Sequence, residues 1–149
     1  MQLANQPPIY RDAKKLVVQV EQAVKQFARY NRYSLGADLR EQAFKVLRLL
    51  HRACRTRDVQ TKQLKNVLYA VDDVKLTLQI AKELHMFQSF AVFEQLAELV
   101  QGISKQCVGW LKSLSLSPEG KVGAKGYEQN ALAGPVAEMS NAQLQGVSQ

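Results

Sequence analysis

The chain has 149 residues, 46% of them apolar, with 20 Lys and Arg against 13 Asp and Glu, a net charge of +7. That is about one domain with enough apolar surface for a core, which excludes wholesale disorder and a collagen-like chain. Two cysteines, Cys54 and Cys107, supply neither a disulfide framework nor a zinc quartet, and no uncharged apolar run approaches the roughly 20 residues of a membrane span.

Residues 1–10 hold Gln, Asn and two prolines, with no basic stretch leading into an apolar one; the expectation is a cytoplasmic chain without a signal peptide. From Tyr10 the pattern is helical four times over. Ala13, Leu16, Val17, Val20, Ala23, Val24, Phe27 and Tyr30 recur at three- and four-residue steps, one face of a first helix whose start Pro7 and Pro8 set from outside. Leu35, Leu39, Ala43, Val46, Leu47, Leu50 and Cys54 do the same in a second, with Ser34 as N-cap and Asp38 in the first turn, where the helix dipole favours it. Leu64, Val67, Leu68, Val71, Val74, Leu78 and Ala81 mark a third, capped by Asp58 or Thr61. Phe90, Phe93, Leu96, Val100, Ile103, Cys107, Trp110 and Leu111 mark a fourth, capped by Ser89.

The links fall at Asn31–Ser34, Thr56–Thr61 and Met86–Ser89. Short links between long helices make neighbours antiparallel. The expected fold is all-α, an up-down-up-down four-helix bundle over residues 10–114, with an N-terminal extension at 1–9. The remainder, 115–149, is rich in Ser, Gly, Gln and Ala without sustained period and reads as a flexible tail, with room for a short helix around Val136–Gln145. The tail carries two Lys and three Glu, so residues 1–113 carry +8 and the basic character belongs to the bundle.

Catalytic motifs are sparse. There is no phosphate-cradling glycine loop, no H-E-x-x-H and no G-x-S-x-G. His51 and Cys54 stand three apart, fewer ligands than a metal needs; Cys54 reads as core and His51 as a rim residue. His85 closes the third helix, where the dipole suits a cation. Asp72 and Asp73 are adjacent and point to different faces, so they do not converge as an acid–base pair. The expectation is a non-enzymatic protein with no cofactor, no metal and no small-molecule substrate.

Charge is more informative. Between Lys25 and Lys65 stand eleven cations (Lys25, Arg29, Arg32, Arg40, Lys45, Arg48, Arg52, Arg55, Arg57, Lys62 and Lys65) against Asp38, Glu41 and Asp58. Lys45, Arg48, Arg52 and Arg55 fall in one strip of the second helix, beside the apolar stripe and without neutralising acids in their own helix. Arginine suits phosphate because its planar fork binds bidentately and stays charged, so these residues point to nucleic acid or an acidic partner. Exposed aromatic anchors beside the cations are missing, which ranks a membrane surface lower. Tyr30 and Tyr33 in Y-N-R-Y either stack on bases or, the commoner arrangement, staple a helix–helix connection. Gly102 and Gly109 on the fourth helix suggest close approach by another helix, from this chain or another subunit.

The run Y-N-R-Y-S-L-G-A-D-L-R-E-Q-A (Tyr30–Ala43) resembles the start of the second helix in the accessory variability determinant (Avd) proteins of diversity-generating retroelements, within the four-helix-bundle family that includes proteins encoded in ribosomal RNA intervening sequences. R-A-C-R-T-R-D after the second helix, I-A-K-E-L-H (Ile80–His85) and G-W-L-K (Gly109–Lys112) extend the likeness over roughly Tyr10–Leu114. The resemblance implies a non-enzymatic barrel-shaped homopentamer. Such a protein binds the retroelement's reverse transcriptase and template RNA and supports mutagenic cDNA synthesis, the retrohoming that diversifies a target gene. Carried onto this chain, the basic-surface role falls on Arg40, Lys45, Arg48, Arg52, Arg55 and Arg57; on charge alone Arg29, Arg32, Lys62 and Lys65 join them. The tail departs from the shortest members of the family. The alternative is an adaptor bundle that binds only protein, through its apolar and aromatic rim.

Overall fold

A computed structural model describes residues 6–115. The expected flexible tail from residue 116 on, and the short helix expected around Val136–Gln145, lie outside the described residues. The chain divides into two units, residues 1–106 and 107–149, and the packing described below is that of the first. Every regular element among the described residues is helical: α1 (Pro8–Lys25), a four-residue α2 (Arg29–Arg32), α3 (Leu35–Arg55), a 3₁₀ turn (Arg57–Val59), α4 (Gln60–Glu83) and α5 (Phe90–Ser115). None of the helices is long and apolar enough to cross a membrane.

Pro8 is the first residue of α1 rather than a stop before it, since the missing N–H is one that a helix start leaves unbonded anyway. α1 closes at Lys25, five residues before Tyr30. Gln26 and Phe27 donate back to the carbonyls of Ala23 and Val24, and the chain leaves the helix to bury Phe27 edge-on against Phe87, with ring centroids 5.4 Å apart. The stripe therefore ends at Phe27, and Tyr30 stands in solvent at 83% exposure.

α3 packs along both α1 and α4. Its buried residues are Gly36, Leu39, Ala43, Val46, Leu49, Leu50 and Ala53. Two neighbours widen and turn the apolar arc, so Leu49 and Ala53 enter it while Leu47 is half-buried and Cys54 is exposed. Ser34 does not cap α3; its hydroxyl donates instead to the carbonyls of Tyr30 and Asn31, 3.1 and 3.4 Å away. The start of α4 is preceded by the 3₁₀ turn, and Gln60 Nε2 donates to the carbonyl of Ala53 at 2.8 Å.

The α4 stripe is buried as its spacing dictates, Leu64 through Ala81. In the part of α5 within the first unit, Leu96, Val100 and Ile103 are buried, Phe93 is half-buried and Phe90 is exposed; in the second unit Cys107 and Leu111 are buried. Within residues 1–106, α5 joins α1 through Gln106 Nε2 to Asp12 Oδ2 at 2.7 Å. It joins α4 through Lys75 Nζ to Gln101 Oε1 at 2.7 Å and the Lys82 ammonium 5.0 Å from the Phe93 ring centroid. Each fully buried Leu, Ile or Val of this core contributes about 1.5–3 kcal/mol over exposure. Among the described residues a Cβ on Gly102 or Gly109 would meet nothing within 4 Å, so neither glycine marks a close helix approach there.

Candidate nucleic-acid interface

The basic residues follow from the helix ends and one outer face. At about 100° per residue, Lys45, Arg48, Arg52 and Arg55 fall roughly opposite the buried arc of α3. The strip thus lies across the helix from the core rather than beside it. Nor is it wholly unneutralised: Arg48 Nη2 donates to Glu41 Oε1 on the same helix at 2.8 Å, and its guanidinium lies 5.4 Å from the Phe44 ring centroid. Arg40 Nε is likewise held by Glu21 Oε1 at 2.8 Å. Both pairs are largely solvated and add little stability.

The other sites separate into two groups. Arg52, Arg55, Arg57 and Lys62 stand exposed around the α3–α4 turn, and none of the four makes an ion pair among the described residues. Arg52 and Arg55 lie in the last turn of α3, where the dipole stabilises them; Arg57 and Lys62 extend the charge past the helix end. Lys65 is half-buried on α4, and Lys45 is exposed midway along α3. Arg29 and Arg32 sit on α2, just before the other end of α3, and Arg32 shares a cleft wall with Arg40. At about 1.5 Å per residue, Arg40 and Arg55 are about 22 Å apart along the axis. That exceeds the roughly 8 Å screening length at physiological salt, so the two groups act as separate patches.

Lys14 was missed by sequence reasoning. Tyr10 Oη lies 3.2 Å from His51 Nδ1, and Lys14 Nζ is 5.5 Å from the Tyr10 ring centroid, which brings an α1 cation to the same end of α3 as Arg52 and Arg55. Only the pairing of α1 with α3 makes that connection.

The structure supplies no assembled chemistry at the remaining candidates. Among the described residues no three His, Cys, Asp or Glu side chains converge to hold a metal. His51 is engaged with Tyr10, and His85 is exposed. Desolvation holds both thiols above their ordinary value, Cys107 at about 12, the reverse of an activated nucleophile. Burial also raises the Asp72 carboxyl and lowers the Lys75 ammonium, each partly offset by the other's charge.

No protein-family model matches this chain, and no curated protein matches it.

Proposed function

We propose that this chain is an Avd-like accessory protein of a diversity-generating retroelement. On this reading it is a non-enzymatic, antiparallel up-down-up-down four-helix bundle that forms a homo-oligomer, a pentamer by the family resemblance. It binds the element's reverse transcriptase and template RNA and supports mutagenic cDNA synthesis. The observation that carries the reading is the exposed set Arg52, Arg55, Arg57 and Lys62 at the α3–α4 turn, none of it ion-paired among the described residues. Such a patch attracts phosphates and releases their counterions, so binding weakens with salt. The bundle brings RNA and polymerase together and raises their effective concentration without performing chemistry.

Cross-helix pairs support the antiparallel order. Tyr10 meets His51 and Glu21 meets Arg40, opposite ends of α1 and α3. Lys75 with Gln101 and Lys82 with Phe93 run in opposite directions along α4 and α5. The oligomer draws support from the outer side of α4 and its C-cap, where Tyr69, Leu76, Ile80 and Leu84 are 59%, 41%, 40% and 62% exposed and, at spacings of seven, four and four residues, share one face. The same face favours the second reading, an adaptor that binds only protein.

Co-expression with a diversity-generating retroelement's reverse transcriptase, with and without its template RNA and across a salt series, tests the proposal. A stoichiometric complex that weakens with salt and is lost in Arg52→Glu/Arg55→Glu/Arg57→Glu is expected. Association with neither component at low salt overturns the reading in favour of the adaptor.

A further inference from the structure

The helix α2 and the residue that closes it, Tyr33, carry the two most exposed large aromatic side chains of the described residues. Tyr30 is 83% and Tyr33 is 76% exposed. They do not staple the α1–α3 connection; that work falls to Phe27, buried against Phe87, and to the backbone of α2. A Cβ on Gly36 would stand 2.8 Å from the Asn31 carbonyl oxygen and 2.8 Å from Val24 Cγ1, so α2 lies directly against the start of α3. The Ser34 hydroxyl, bonded to the Tyr30 and Asn31 carbonyls, ties the same turn. The tyrosines are therefore presented from a fixed backbone.

Beside them α1, α2 and α3 enclose a cleft of about 410 Å³ whose wall includes Glu21, Lys25, Arg32, Tyr33 and Arg40. Three cations face one carboxylate there. Glu21 is taken by Arg40, while Lys25 and Arg32 make no ion pair among the described residues. Arg32 Nε is buried without a hydrogen-bond partner. A half-buried guanidinium with an unmet donor is costly unless an anion completes it, and a phosphate offers several acceptors to the planar fork. An aromatic ring on the wall of a cationic cleft, with a second exposed ring three residues away, is the arrangement that holds unpaired bases: a charged groove for the backbone and flat faces for stacking.

We propose that the α1–α2–α3 corner is a binding site for single-stranded nucleic acid, with one backbone phosphate seated at Lys25, Arg32 and Arg40 and adjacent bases stacked on Tyr33 and Tyr30. The site is distinct from the patch at the α3–α4 turn, about 22 Å away along α3. It rests on the RNA-binding reading above and adds what that reading lacks, a preference for unpaired strands. Duplex bases are already stacked on one another and leave the tyrosines without a partner.

The test uses the full chain and two fluorescein-labelled probes, a 12-nucleotide uridine-rich RNA and an RNA duplex of equal length, titrated by anisotropy at two salt concentrations. Tyr30→Leu/Tyr33→Leu weakens single-strand binding by about tenfold or more, the scale of lost base stacking, and changes duplex binding by less than about twofold. Tyr30→Phe/Tyr33→Phe keeps the rings and keeps the affinity. Arg32→Gln lowers the salt dependence of single-strand binding by about 0.7 in log–log slope, one phosphate contact. Both tyrosines are exposed, so circular dichroism of the variants matches the parent and unfolding is separated from lost binding. Unchanged single-strand affinity in Tyr30→Leu/Tyr33→Leu overturns the corner site. If Arg52→Glu/Arg55→Glu/Arg57→Glu still abolishes RNA binding in that case, the accessory reading survives and α2 becomes a protein contact. A chain that binds neither probe at low salt overturns both.

Discussion

Gly36 stands where a side chain has no room. The Asn31 carbonyl and Val24 Cγ1 each lie 2.8 Å from where its Cβ would be, and Phe27 Cδ2 lies 3.3 Å away. One of these contacts is backbone and cannot swing aside. Gly36→Ala is expected to destabilise the chain by about 1–3 kcal/mol, the usual cost of overpacking, read as a lower urea midpoint at unchanged slope. Cys107 gives a second residue-level expectation. Its thiol is buried and raised from 9.0 to about 12, so the folded state favours the neutral form. The associated stability is intact below about pH 9, where folded and unfolded chains both hold the proton. It falls as pH rises from there through about 12. Urea midpoints are expected to drop from about pH 9 upward, and Cys107→Ala to flatten that drop.

At the scale of the element, the end of α4 is closed by backbone rather than by charge. The Met86 N–H donates to the Ala81 carbonyl and the His85 N–H to the Lys82 carbonyl, both at 3.0 Å, while His85 takes φ 55° and Met86 is buried. This is a Schellman closure with histidine at the left-handed position that glycine usually fills. A Cβ in that region costs about 1–2 kcal/mol, which sets the role of His85: it holds the turn despite its side chain. His85→Gly is expected to raise stability by about 1 kcal/mol, read as a higher melting temperature with unchanged helicity. The helices also differ in how they use their faces. α1 and α3 each expose one large apolar residue, Val18 and Phe44, whereas α4 buries Leu64 through Ala81 on one side and exposes Tyr69, Leu76 and Ile80 elsewhere, with Leu84 at its C-cap.

At the scale of the whole molecule, the exposed apolar side of α4 and the basic α3–α4 turn are separable surfaces with separable tests. On the proposed reading the first assembles copies and the second meets nucleic acid. Leu76→Glu/Ile80→Glu is expected to reduce the solution mass measured by light scattering toward that of one chain while leaving helicity in place, because both positions are about 40% exposed and their substitution opens no core cavity. RNA affinity then falls with the number of linked sites rather than with the charge of any one patch. Association through the basic turn follows the opposite pattern, lost with salt and indifferent to these two substitutions.

The sequence by itself determined the helices. Period 3.6 is a local property, and Leu64, Val67, Val71, Val74 and Leu78 or Leu96, Val100 and Ile103 repeat it without competition, so their burial was legible before any fold was known. It determined equally that the positive charge lies in the helical part. Where two phases of the same period overlap, as in the Leu47–Cys54 stretch, periodicity had no means of choosing. The pairing of α3 with both α1 and α4 chose Leu49 and Ala53 and left Cys54 outside. Tertiary structure alone ended α1 at Lys25, because the partner that draws Phe27 inward, Phe87, is 60 positions away. The same holds for charge. Composition counts cations, but only the fold pairs Arg40 with Glu21, brings Lys14 to the far end of α3 and gathers Lys25, Arg32 and Arg40 around one cleft, since neutralisation and convergence depend on distance in space.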